Sequence, residues 1–338
     1  MELGIYSLGE LLSNPKTGRI MSANNRINDL VEMAQYADQS GVDVFGVGEH
    51  HRLDYAVSTP QMLLSAISQR TESIRLTALT SLLNTADPVR LFEDFATLDL
   101  LSGGRAEFTA GRGAFVEAFP LFGYNEKHYD ELFSEHLALF LQLNQQEQVT
   151  WEGTYRSKLD QAEIAPRPLQ QALPVSIGVG GTIESAERSG KNGCGLTVVM
   201  IGGIAKKYQP LVARYREVFS GEQSPHVAIA GHTMVRETLE ELEEDFYSYY
   251  AHYWEHLTKQ GIGGAMGAAR TDMDFITSEE STLMVGTPEQ IIAKIKYQYQ
   301  LFGHDRFLAQ VDFGGQPIES VKETIDLLTK KVMPYLQK

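Results

Sequence analysis

Three short clusters in this sequence carry residue types that can do chemistry. Glu49-His50-His51 follows the apolar run Val44–Val47. Histidine exchanges a proton near neutral pH because its unperturbed pKa is about 6.5. Gly111-Arg112-Gly113 closes a second apolar run. Its arginine suits a phosphate or carboxylate, and the flanking glycines let a ligand approach the backbone. Gly178-Val179-Gly180-Gly181-Thr182-Ile183-Glu184-Ser185 leads from a third run into a helical stretch. Exposed amides of such a turn and the positive end of the helix make an anion site, to which Thr182 adds a hydroxyl. The same residues have plainer alternatives: hydrogen-bonded structural histidines, a surface arginine and a helix cap without a ligand. Adjacent strand residues face opposite ways, so the two histidines are not expected to chelate one metal. One should point into the mouth of a barrel and the other toward its helical layer.

Other chemistries lack their residues. No lysine closes a strand in the manner of a Schiff-base enzyme, and neither G-x-S-x-G nor H-E-x-x-H occurs. The glycine turn is neither a Walker loop nor a G-x-G-x-x-G fingerprint. Asp and Glu are sparse at strand ends, which leaves little for metal-assisted or two-carboxylate hydrolysis. A histidine pair, a phosphate site and no nucleophile suit a case where a bound cofactor carries the reaction.

The elements that must position these residues alternate along the chain. Leu3–Ser7, Val44–Val47, Leu76–Leu83, Ala106–Ala110, Val175–Val179, Leu196–Met200, Val227–Val235 and Phe307–Val311 are apolar, strand-length runs. Stretches of helical period lie between them, with start signals at Asp87-Pro88 and Thr287-Pro288-Glu289-Gln290 and a stop at Gly103-Gly104. Continuous apolar strands are covered on both faces, and eight of them predict a (β/α)8 TIM barrel. The buried hydroxyls of Leu76–Ser81 need partners, which a ligand or neighbouring backbone would supply. Two excursions break the alternation. Val149–Pro168 is expected to form a β-hairpin, and the Gly- and Met-rich segment Gly261–Gly286 a lid or loop.

The chain has 338 residues and a formal net charge of -15, which argues against nucleic acid or an anionic membrane as partner. One cysteine, Cys194, allows no internal disulfide. No apolar run reaches membrane-span length and MELGIYSLGE is not built like a signal peptide, so a cytoplasmic location is expected.

Taken in order, LGIYSL at the N-terminus, Glu49-His50-His51, IRLTALTSLLNTADPVRLFEDFATLDLLSGGRAEFTAGRG, Gly180-Gly181-Thr182, Val285-Gly286-Thr287-Pro288-Glu289 and the closing VMPYL resemble the bacterial luciferase-like family of flavin-dependent monooxygenases. The resemblance spans almost the whole chain and implies one domain over 1–338, a TIM barrel with excursions near 149–168 and 261–286. It implies a homodimer packed through the early helices, with reduced FMN at the C-terminal mouth of the strands. A separate flavin reductase would supply that FMN, and oxygen would then oxidise a small organic substrate. By position, Arg112 with Gly180, Gly181 and Thr182 would hold the flavin phosphate. His50 would be the acid or base, with His51 beside it and Glu49 in support. The Leu79–Thr80 bond falls where several members have a cis peptide under the flavin ring. The segment 261–286 falls where the luciferase alpha subunit has its mobile loop. Gly111 stands where luciferase has a cysteine, and one chain shows no second subunit type, so light emission is not implied. Deazaflavin-dependent hydride transfer, a flavin-binding protein without turnover and a sugar-phosphate enzyme stay open. The substrate pocket is expected from the lid, Val149–Pro168 and the aromatic loop Phe115–Tyr124, which hints at an apolar substrate.

Overall fold

In the computed structural model of the chain, residues 1–113, 115–259 and 272–336 are described. Eight parallel strands close on themselves: β1 (Glu2–Ser7), β2 (Val44–Val47), β3 (Arg75–Ala78), β4 (Ala106–Gly111), β5 (Val175–Val179), β6 (Gly195–Val199), β7 (Val227–Val235) and β8 (Arg306–Gln310). Each pairs with its neighbours in chain order, and β8 returns to β1 with Leu308 opposite Gly4. The eight apolar runs of the sequence are these eight strands, and the architecture is a (β/α)8 barrel.

The intervening helices are α1 (Ala23–Gln39), α2 (Pro60–Ser68), α3 (Pro88–Ser102), α4 (Tyr129–Gln145), α5 (Ile183–Lys191), α6 (Gln209–Glu217), α7 (Leu239–Lys259), α8 (Pro288–Phe302) and α9 (Ile318–Leu327). Their ends follow the local chemistry. The Asp87 carboxylate accepts from the amides of Val89 at 2.9 Å and Arg90 at 3.2 Å, and α3 stops where Gly103 takes φ 72°. The Thr287 amide donates to the Gln290 side chain at 2.9 Å to start α8. α7 is additional to the barrel repeat. Its apolar face builds a separate aromatic core with Phe246, Tyr250, Tyr253 and Trp254 against Phe313. Among the described residues no helix is long and apolar enough to cross a membrane.

The N-terminal end of the barrel is plugged by charge. Arg306 donates to both oxygens of Glu107, at 2.6 and 3.0 Å, and to Glu2 at 2.7 Å. Such a bidentate cluster satisfies the buried guanidinium and leaves the opposite end for ligands.

Three expectations change. Leu76–Leu83 is not one strand: β3 ends at Ala78, the Leu79–Thr80 peptide is cis, as the resemblance implied, and Ser81–Leu82 leaves β2 and pairs with Ala110 and Gly111 of β4. Residues 261–271 of the expected lid lie outside the described residues. The rest of that segment is a short helix, Met273–Thr277, and a buried strand, Met284–Gly286, that extends the sheet beside Thr233–Val235 of β7. Gln148–Trp151 and Leu159–Glu163 do form an antiparallel hairpin, but it does not border the cavity described below. Glu135 of α4 draws it away, accepting from the amides of Thr154, Tyr155 and Arg156 at 2.8 to 2.9 Å.

Candidate active site

A cavity of about 420 Å³ opens at the C-terminal ends of the strands, and its walls include Glu49, His50, His51, Leu79, Thr80, Arg112, Gly180, Gly181 and Thr182. Nine residues drawn from four separate stretches of sequence thus meet in one space, on the barrel face where ligands bind.

The end of the cavity that the sequence marks for an anion lies where β4 and β5 finish. Arg112 donates to the Ser185 hydroxyl at 2.6 Å and meets Asp130 at 2.7 Å, with its guanidinium over the Tyr129 ring. Thr182 Oγ1 lies 2.6 Å from the same Ser185 Oγ. Asp130 also holds Arg188 at 3.0 Å, so one carboxylate is shared by two guanidiniums. Nothing approaches within 4 Å of where a Gly180 side chain would begin, so this backbone stays open to a ligand. Ser185 belongs to the glycine-turn motif of the sequence, where it was given no role, and here its hydroxyl links Arg112 to Thr182. Its signal was available, since it lies in the first turn of the helix that the glycine turn enters.

Thr80 spans the floor between the two glycine strands. A side chain at Gly111 would begin 1.7 Å from Thr80 Oγ1, and one at Gly178 would begin 2.6 Å from Thr80 Cγ2. These glycines are there to seat Thr80. Of the other hydroxyls in this run, Thr77 is satisfied by Thr109 at 3.0 Å, and Ser81 Oγ is buried with no partner among the described residues.

Both histidines face the cavity, contrary to the expected split between mouth and helical layer. The alternation argument does not apply because β2 ends at Val47, before them. His51 Nε2 lies 2.9 Å from Glu49 Oε1, while Glu49 Oε2 accepts from the Leu82 amide at 3.0 Å. Glu49 therefore joins the histidine segment to the chain just past the cis bond. His50 stacks on Tyr55 with ring centroids 4.1 Å apart and meets the edge of Phe115. Burial pushes its pKa down to about 4, so its imidazole is neutral at physiological pH.

Across the barrel, on β1, β7 and β8, the sequence reading missed Tyr6, His232 and Gln310, and on α7 Tyr253. Gln310 Nε2 donates to Glu10 at 3.3 Å, and the second Glu10 oxygen is buried with no partner among the described residues. Burial and the nearby Asp312 charge push Glu10 up to about 8, so it is a neutral acid at pH 7. Asp312 itself is neutralised by Arg26 and accepts from Ser7 at 2.8 Å. Burial holds His232 near 4, within a ring of Tyr250, Tyr253, Trp254 and Phe313. Of the aromatics in Phe115–Tyr124, Phe115 alone borders the cavity; Phe119 is buried against Tyr129 and Phe122 abuts His51.

Comparison with known proteins places this geometry. The family model for luciferase-like monooxygenases matches residues 1–306. The oxygenase component of a flavin-dependent trigonelline monooxygenase from Acinetobacter baylyi is 22% identical over 91% of this chain and 89% of its own. An F420-dependent glucose-6-phosphate dehydrogenase from Amycolatopsis mediterranei is 30% identical over 49% of this chain and 52% of its own. Among solved structures, monooxygenase RslO1 from Streptomyces bottropensis superimposes with TM-score 0.86 at 22% identity, covering 99% of this chain and 100% of that one. The oxygenating constituent of 3,6-diketocamphane monooxygenase from Pseudomonas putida, in complex with FMN, gives 0.81 at 18% identity, covering 99% and 98%.

Proposed function

The chain belongs to the luciferase-like monooxygenase family, and we propose that it is an FMN-dependent monooxygenase that takes reduced FMN from a separate flavin reductase and uses oxygen to oxidise a small organic substrate. The observation that supports this reading is the Arg112 guanidinium and Thr182 hydroxyl at one end of the cavity, linked through Ser185 and beside the open Gly180 backbone. The residues fit the cofactor. Charged and hydroxyl donors and open glycine amides suit a phosphate, and the apolar side chains of Leu79, Val179 and Val199 beside them suit a flat ring. When bound, reduced FMN supplies the electrons that activate oxygen.

The chain's own residues would do the rest. Arg112, Gly180, Gly181 and Thr182 would hold the phosphate, and Leu79 and Thr80 would border the rest of the cofactor. Neutral His50 accepts a proton at an imidazole nitrogen and returns it, the role its lowered pKa leaves open above about pH 4. Glu49 would orient His51 through its Nε2 contact. Tyr55 and Phe115 pack around His50 and keep water from it. A homodimer acting in the cytoplasm completes the proposal. The relative named as an oxygenase component supports a partner reductase.

A second reading, hydride transfer with a deazaflavin, is favoured by the F420-dependent relative, which is 30% identical over half of this chain. Anaerobic titration with reduced FMN and with F420 separates the two. Tighter binding of reduced FMN supports the monooxygenase; binding of F420 alone selects hydride transfer and overturns it.

A further inference from the structure

We propose that the half of the cavity bounded by β7, β8 and β1 is a substrate chamber that selects uncharged, ring-sized compounds bearing carbonyl or hydroxyl oxygens. This deepens the function proposed above and rests on it for assigning the β4–β5 half to the cofactor phosphate.

Tyr6, His232 and Gln310 stand on three consecutive strands, β1, β7 and β8, opposite the ends of β4 and β5 that carry Arg112 and Gly180. A ligand whose phosphate lies at Arg112 leaves this side for a second molecule. The phenols of Tyr6, Tyr55 and Tyr253 belong to side chains only 3%, 6% and 4% exposed, and among the described residues none makes a hydrogen bond. Burial raises the pKa of all three, so each remains an O–H donor. Gln310 adds an amide. Buried donors of this kind call for acceptor oxygens on the ligand.

Charge excludes the alternatives. Glu10 behind Gln310 is held neutral by burial. Asp54 is taken by Arg52 at 2.9 Å and by His256 at 2.8 Å, and Glu117 lies 3.7 Å from the same Arg52. His50 and His232 are both neutral. Among the described residues on this side, each charged group already has an oppositely charged neighbour, so an ionised ligand group would have to displace one to be paired. Tyr55, Phe115 and Tyr253 supply the flat walls that a ring packs against.

The test is calorimetric titration of the flavin-loaded protein with three matched probes, acetophenone, benzoate and benzylammonium. The expected result is acetophenone binding at least about tenfold tighter than either ion. Tyr6→Phe and Tyr253→Phe should each weaken acetophenone about threefold to tenfold while flavin affinity is unchanged. Either ion binding as tightly as acetophenone, no saturable acetophenone binding, or wild-type acetophenone affinity in both variants would overturn the proposal. A protein that binds no flavin sinks the cofactor reading instead. The order of the three probes on flavin-free protein then still decides the chamber's selectivity.

Discussion

Asp130 holds two guanidiniums at once, Arg112 at 2.7 Å and Arg188 at 3.0 Å, at the place where the cofactor phosphate would sit. A phosphate must displace that carboxylate, which is largely exposed and so only weakly bound. Asp130→Asn should therefore tighten reduced FMN about twofold to fivefold at low salt, an advantage that fades in about 0.5 M salt as charges are screened. Weaker binding in this variant would mean that Asp130 positions Arg112 rather than competing for it. His50 makes a different demand. Its imidazole stays neutral down to about pH 4, so a turnover rate that depends on it as base should be flat from pH 7 to about pH 5 and fall below that. His50→Phe keeps an aromatic ring against Tyr55 and removes the proton acceptor. Turnover should drop about 10²- to 10⁴-fold with flavin affinity kept, the usual worth of one general acid or base.

At the level of elements, the floor of the site is a packing agreement between β4, β5 and the chain after β3. Gly111→Ala would bring a methyl to 2.4 Å from Thr80 Cβ, which no rotamer change relieves. A loss of about 1–3 kcal/mol is expected from such overpacking. Adding Thr80→Gly should recover most of it, which denaturant unfolding of the single and double variants would measure. No recovery would show that the glycine is required for another reason. The same place shows what the sequence did and did not disclose. Strands covered on both faces are unbroken apolar runs, so all eight were visible, as were the caps at Asp87 and Gly103. The break after Ala78 was not, because the residues beyond it are as apolar as those before it. Met284–Gly286 is too short to leave a period and lay hidden in a glycine-rich segment. The anion end was legible because glycine and arginine at strand ends are conspicuous. Tyr6, His232, Gln310 and Tyr253 were not, since a buried strand or an aromatic helix face looks the same whether its side chains line a cavity or fill a core. His232, a lone imidazole inside Val227–Val235, was the one available hint.

Across the whole molecule, buried titratable groups pull stability in opposite directions with pH. His50, His232 and His304 are each lowered to about 4 by burial. Between about pH 6.5 and 4 the unfolded chain binds protons that the folded chain refuses, so stability falls as pH drops through that window. Glu10 does the reverse. Its carboxyl keeps its proton up to about 8 when folded, against an ordinary value of 4.5, so its contribution is full below 4.5 and lost as pH rises through 8. Glu10→Gln, neutral at every pH, should raise the Tm at pH 9 and leave it close to wild type at pH 5, as scanning calorimetry would record. An equal shift at both values would assign the effect to packing instead. The barrel thus keeps its permanent charge clusters at the closed end, with Arg306, Glu107 and Glu2, and at the cofactor end, with Arg112 and Arg188. Across the mouth, the charges of Arg26 with Asp312 and of Arg52 with Asp54 and Glu117 are paired among themselves.

The phosphate anchor is the claim on which the rest depends. Its most direct test is a cycle of four anaerobic titrations, reduced FMN and reduced riboflavin against wild type and Arg112→Ala. Arg112 is partly exposed, so its contact with the phosphate should sit at the lower end of the usual 2–5 kcal/mol for such pairs. Wild type should therefore prefer reduced FMN to reduced riboflavin by at least about thirtyfold, and Arg112→Ala should remove most of that preference while leaving riboflavin binding unchanged. An equal preference for FMN in both proteins, or none in wild type, would contradict the account.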